Sequence, residues 1–144
     1  MKQQIKIISF IFLSLLGAVL SYTLLLNHFS LDISPCAVNA TFNCDIVNRS
    51  IYAEIVGVPV ALVGLLGYSF LFLLSAQFLF FKNNIIPWLL FIFSVGGFVF
   101  SLYLTGIETF ILHTYCPYCL ISQGIISVLV ILSYYNWRVF TGKN

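Results

Sequence analysis

Charge is scarce in this sequence. Its 144 residues include 6 Lys and Arg and 4 Asp and Glu. With 61% hydrophobic residues around them, the chain has too little polar surface to cover itself in water, which excludes a soluble domain. The net charge of +2 is too small for a nucleic-acid-binding face and bears instead on orientation in a membrane. Internal repeats, linkers and low-complexity segments are also missing, so the chain reads as one membrane domain over 1–144.

Four stretches carry no charge at all and are long enough to cross a hydrocarbon core of about 30 Å, which takes ~20 helical residues. They are 7–27, 58–81, 85–107 and 116–137, and they predict an all-α integral membrane protein, a four-transmembrane-helix bundle. Pro59 and Pro87 are expected in the first turns of the second and third helices, where a missing N–H costs nothing. Lys2, Lys6, Lys82, Arg138 and Lys143 fall on one side of this arrangement and Arg49 alone on the other. By the positive-inside rule both termini are then cytoplasmic and the first loop faces outward. The first span exceeds the usual h-region of about 7–15 residues, and no A-x-A-like site follows it, so it reads as a retained helix and not a signal peptide. Small residues at helical spacing, among them Ser14, Ala18, Ser21, Gly64 and Gly97, predict close helix approach.

Cysteine is also sparse, but its placement is informative. Cys36 and Cys44 lie in the first outer loop, roughly 27–54, and Cys116 and Cys119 at the outer end of the fourth span. All four therefore face the side of a cell membrane where disulfides persist. Three residues apart on a helix, Cys116 and Cys119 share a face, with Cys119 about one turn (~4.5 Å) deeper in the membrane. The helix N-terminus and the Cys-x-x-Cys arrangement both favour a reactive thiolate. Two plainer readings compete: buried packing cysteines, and a metal site using all four thiols. The seven residues between Cys36 and Cys44 do not match the short knuckle of structural zinc sites. Spacing and compartment together favour a dithiol relay. After Cys44, the segment 45–57 places Ile46, Val47, Ile51 and Ile55 on one helical face. It predicts a short amphipathic helix capped by Asp45, stopped by Gly57 and lying on the outer surface, with Ser50 turned toward the bundle mouth.

The stretches "VNRSIYAEIVGVPVALVGLLGY" after the C-x7-C pair and "YLTGIETFILHTYCPYCLIS" around the Cys-x-x-Cys resemble the two signature regions of the vitamin K epoxide reductase family in its bacterial branch. The likeness covers essentially the whole chain. The quinone-linked oxidases of the disulfide bond formation B type carry their Cys-x-x-Cys in the first outer loop, the reverse order. The resemblance implies a membrane thiol oxidoreductase of the bacterial inner membrane. In it, Cys116 and Cys119 form the active pair beside a quinone, ubiquinone or menaquinone, that accepts electrons. Cys36 and Cys44 are the loop shuttle pair, and Ser50 is the loop serine near the site. It also implies a thioredoxin-fold partner. Many bacterial members carry one as a fused domain; this chain ends seven residues after Trp137, so the expected partner is a separate extracytoplasmic protein.

Gln123, one turn after Cys119, and Tyr118 are geometric candidates for contacts to the quinone. Glu108 and His113 flank the mouth and read as interfacial residues in contact with water. Depth makes Cys116 the helix partner in a bridge to the loop. Cys44, next to the mouth helix, is its expected loop partner, leaving Cys36 as the more exposed thiol for a protein partner. Two alternatives remain at this point: a quinone epoxide reductase using the same cysteines, and a non-enzymatic four-thiol metal-binding or transport protein.

Overall fold

A computed structural model of the chain describes residues 2–142 apart from 31, 32, 34, 82 and 84, and omits the side chains of 2–5, 140 and 141. The Lys2 side chain, Lys82 and Lys143, counted above for orientation, lie outside the described residues. Four long helices dominate: α1 (Lys2–Phe29), α3 (Val60–Phe80), α4 (Ile85–Ile107) and α5 (Pro117–Thr141). A short α2 (Cys44–Asn48), a 3-10 turn (Ile51–Ala53) and a hairpin of β1 (Glu54–Ile55) and β2 (Val58–Pro59) join α1 to α3. A π-helical turn (Glu108–Leu112) extends α4. Each long helix is long and apolar enough to span a membrane, and the chain is a multi-pass membrane bundle.

The helices form where charge is absent, and their ends are set by specific residues. Pro87 sits in the first turn of α4, as its sequence position predicts. Pro59 stands one step earlier than expected: it is the N-cap of α3 and not part of the first turn, because its backbone is held opposite Glu54 in the hairpin. The mouth helix is also shorter than the expected 45–57. Asn43, not Asp45, caps it, its side-chain oxygen accepting from the N–H groups of Asp45 and Ile46 at 2.9 and 3.2 Å. The helix ends at Asn48, and Gly57 serves a different turn. Val56 and Gly57 both adopt positive φ, 54° and 78°, which suits the two-residue link between β1 and β2. Of the expected apolar face only Val47 packs inward; Ile46, Ile51 and Ile55 are exposed.

In the bundle, α1 packs along α3 and α5, and α4 packs along α5, while α3 and α4 touch less. Phe10, Tyr68, Leu71, Leu90 and Leu129 fill the centre, and Ser14, Ser75 and Ser133 turn their hydroxyls back onto their own helices. Large residues such as Phe12, Leu66 and Val99 point outward, the inverse of a soluble protein and the normal state of a helix facing lipid. Where the chain's two ends meet, Lys6 lies 4.8 Å above the Tyr135 ring and Phe91 stacks on Trp137 at 5.6 Å, forming an interfacial aromatic cluster.

α1 and α3 come close together at Gly17. The Tyr68 ring occupies the space where a side chain at Gly17 would stand: an ideal Cβ there would lie 2.4 Å from the ring. The ring cannot retreat freely, because its hydroxyl donates to the Ser122 carbonyl of α5 at 2.8 Å and meets the Ser122 hydroxyl at 2.9 Å. Gly17→Ala is therefore expected to cost about 1–3 kcal/mol through overpacking and lower the melting temperature by several degrees. Gly67→Ala, where an added Cβ meets nothing within 4 Å, should leave it unchanged. Thermal unfolding of both variants in one detergent checks this; equal stability of the two would contradict the packing described.

Candidate active site

The cysteine end of the bundle is closed by a loop fastened at several points. Residues 37–43 fold back on themselves through an Ala37–Asn43 bridge. They then pair with the segment before α5: the Asn43 N–H donates to the Tyr115 carbonyl at 3.0 Å, and the Tyr115 N–H donates to Thr41 at 2.8 Å. On the other side, the buried Asn48 amide donates to the Leu24 carbonyl of α1 at 2.7 Å. His28 Nδ1 meets the Asn48 carbonyl at 2.7 Å while Nε2 meets Glu54 Oε1 at 3.2 Å. The His28–Glu54 contact is an ion pair when the imidazole is protonated. The Arg49 guanidinium adds a bond to the Ser30 carbonyl at 2.7 Å. These polar contacts hold α2 between α1 and α5.

This fastening brings the cysteines into one line. Cys36 and Cys44 are joined in a disulfide, with Cα atoms 5.6 Å apart. Cys44 is fully buried at the first position of α2, and its sulfur lies 3.3 Å from that of Cys116, which is also fully buried. Cys116 does not begin the helix as expected but caps it, because Pro117 supplies the first helical residue. Its sulfur accepts the Cys119 N–H at 3.2 Å, so the helix N-terminus points a donor at the sulfur nearest the loop. Cys116 and Cys119 are free thiols. The expectation that Cys36 is the exposed member of the loop pair is not met: it is 4% accessible. The disulfide draws it beneath the folded arm, whose residues 38–42 carry the exposure instead.

Cys119 faces a cavity of about 540 Å³ between the helices, within the size range of small-molecule pockets. Its walls are mainly apolar, from residues such as Leu71, Phe93 and Ile126. Gly67 and Gly96 line it too, and an added Cβ at either meets nothing within 4 Å, so these glycines leave the space open. The polar atoms gather toward the cysteine end: Ser50, Tyr68, Thr105, Glu108 and Ser122 join Cys119 in the lining. Ser50 donates its hydroxyl proton to the Val47 carbonyl at 2.8 Å while bordering the cavity. Gln123 is not in the lining; its side-chain oxygen takes a hydrogen bond from Thr105 on α4. Tyr118 packs beside the loop cysteines, away from the cavity.

Glu108 departs most from its sequence reading. His113 is exposed as expected of an interfacial residue, in a left-handed conformation with φ 50°. Glu108 instead is 2% accessible and lines the cavity. Its carboxyl accepts the Cys116 N–H at 3.2 Å and also contacts the Cys119 side chain. The signal was present in the sequence, since Glu108 is the sole Asp, Glu, Lys or Arg between Lys82 and Arg138. An ionisable residue inside a membrane span marks a functional site by default. Tyr68 and Ser122, by contrast, gave no signal, because their meeting depends on how α3 packs against α5. Among the described residues no group of three or more His, Cys, Asp or Glu is placed to hold a metal ion.

A membrane bundle that hangs a disulfide loop over a dithiol at the edge of an apolar cavity has the parts of a membrane thiol oxidoreductase. The family model of the vitamin K epoxide reductase family matches residues 8–134, and the chain belongs to that family, one of oxidoreductases that use quinones. No individual curated protein matched the chain.

Proposed function

We propose that the protein carries electrons from a reduced thioredoxin-fold protein through its two cysteine pairs to a membrane quinone, and so supports disulfide formation. The observation that carries this reading is the 3.3 Å approach of the Cys44 and Cys116 sulfurs, which puts the loop disulfide within exchange distance of the helix pair. A thiolate of the partner attacks Cys36 and releases Cys44; the partner's second thiol then frees Cys36 and leaves as a disulfide. Cys44 attacks Cys116 of an oxidised Cys116–Cys119 pair, releasing Cys119, and Cys36 closes on Cys44 to release Cys116. The loop is then oxidised and the helix pair reduced, which is the state described here. From it, Cys119 faces the cavity and hands two electrons to the quinone as the Cys116–Cys119 bond re-forms. The quinone supplies an acceptor of two electrons and two protons, and the apolar walls fit its ring.

Cys36 is buried, so the partner's entry requires the arm 37–43 to lift. The strand-like bonds that hold the arm to Tyr115 are few enough to open locally. In this reading the membrane is the bacterial cell membrane, and the basic residues near the two ends support cytoplasmic termini with the cysteine end outside. The metal-binding reading has less support, because two of its four sulfurs are bonded to each other.

Stopped-flow quinone reduction by the purified protein with a reduced periplasmic thioredoxin-fold protein tests the relay, with a quinone epoxide assayed in parallel as the rival substrate. Full activity in Cys119→Ala would sink it. In Cys119→Ser, non-reducing peptide mapping should find a Cys44–Cys116 bridge with Cys36 free or joined to the partner. A Cys36–Cys116 bridge would reverse the roles of the loop cysteines. In intact cells, a membrane-impermeant maleimide should label Cys36 after mild reduction; labelling that requires permeabilised cells would place this end on the cytoplasmic side.

A further inference from the structure

Among the described residues Glu108 is the only acid lining the cavity, and the electron path above makes no use of it. Its position continues the face of α4 that borders the cavity, three and four residues after Thr105 and Leu104, and the π-helical turn Glu108–Leu112 begins at it. Single π turns within helices recur at functional sites. Here the carboxyl touches both members of the thiol pair, through the Cys116 N–H at 3.2 Å and the Cys119 side chain, while facing the cavity. Thr105, Ser122 and Tyr68, the neighbouring polar side chains of the lining, already hold hydrogen bonds with Gln123 or with each other. A group that must move a proton between Cys119 and a molecule in the cavity has one carboxyl within reach.

We propose that Glu108 is a catalytic residue that takes the proton of the Cys119 thiol and delivers it to an oxygen of the bound quinone, an inference that rests on the function proposed above. The step balances as follows. Cys116 and Cys119 lose two protons and two electrons as their S–S bond forms, and the quinone gains two electrons and two protons. Glu108 accepts the Cys119 proton and donates it to the quinone, ending as it began. The Cys116 proton leaves toward the loop side, where that sulfur meets Cys44, and one proton from water at the mouth completes the quinol. Thiol and quinone are chemically mismatched in the absence of such a group, because electron transfer without protonation leaves charge in an apolar cavity.

The competing explanation is structural: the carboxyl merely straps the start of α5 to the end of α4. Glu108→Gln separates the two, since an amide oxygen still accepts the Cys116 N–H but the side chain cannot carry the proton. The full-length protein, reduced beforehand at all four cysteines, is mixed with a soluble ubiquinone analogue across a pH series, and quinone loss is followed by absorbance. Glu108→Gln should slow quinone reduction by about 10²–10⁴-fold. It should lose the ionisation limb that the wild type shows and leave the KM for quinone within a few fold. Glu108→Asp should recover part of the rate. Reduction of the Cys36–Cys44 disulfide by dithiothreitol should proceed in Glu108→Gln as in the wild type, which also reports that the variant is folded. A wild-type rate in Glu108→Gln, or a slowed rate with an unchanged pH profile, overturns the proposal. Failure of the wild type itself to reduce quinone would strike the proposed function instead, so the two are distinguishable.

Discussion

Cys44 and Cys116 are 72 residues apart in the chain, and their 3.3 Å contact depends on holding a loop against two helix ends at the rim of a membrane bundle. Such a rim offers little to hold a loop by hydrophobic burial, since the bundle's own apolar surface is directed to lipid. The fastening is therefore polar: Asn48 to Leu24, His28 to Asn48 and Glu54, Asn43 to Tyr115. A typical hydrogen bond contributes about 1 kcal/mol net, so several together hold the loop while any small set of them can open. That balance suits the proposed relay, in which the loop stays closed over Cys116 and opens to admit another protein to Cys36.

Beneath the loop, the bundle is tight on one side and open on the other. Gly17 lets the Tyr68 ring lie against α1, and the Tyr68 hydroxyl ties α3 to α5 through Ser122. Gly67 and Gly96 do the opposite, leaving room between α3 and α4 where Cys119 looks into the cavity. Glycine thus serves two ends here, close packing and open space, distinguishable only from what lies opposite each one. The polar groups converge at the cysteine end of that space, so a molecule inside would be oriented with its reactive part toward Cys119 and Glu108.

The spans were legible because a run of about 20 uncharged residues has few alternatives to a membrane helix. The cysteine pairs were legible from their position at the ends of those spans. What lay between was not. Periodicity over 45–57 extended a helix through Ile51 and Ile55, but it carries no information on Val56 accepting a positive φ, and that turn ends the regular pattern in a hairpin. Asp45 and Asn43 are both good capping residues, and only the loop's path decides between them. Glu108 was misread because it lies just past the end of the 85–107 span and was set at the water interface, whereas it continues the cavity-facing stripe of α4 after Ser101, Leu104 and Thr105 and is buried. Tyr118 and Gln123 sit close to Cys119 in sequence, and side-chain direction at the start of α5 turns Ser122 to the cavity in place of Gln123.

The central claim is an order of events: electrons leave through the helix pair, and oxidation then travels outward to the loop. It is tested most directly by starting from protein reduced at all four cysteines, adding quinone, quenching with acid at increasing times and mapping disulfides by mass spectrometry. The account predicts that the Cys116–Cys119 bond appears first, that a Cys44–Cys116 bridge rises and falls, and that Cys36–Cys44 accumulates last. Formation of Cys36–Cys44 at the earliest times, ahead of any bond to Cys116 or Cys119, would contradict it.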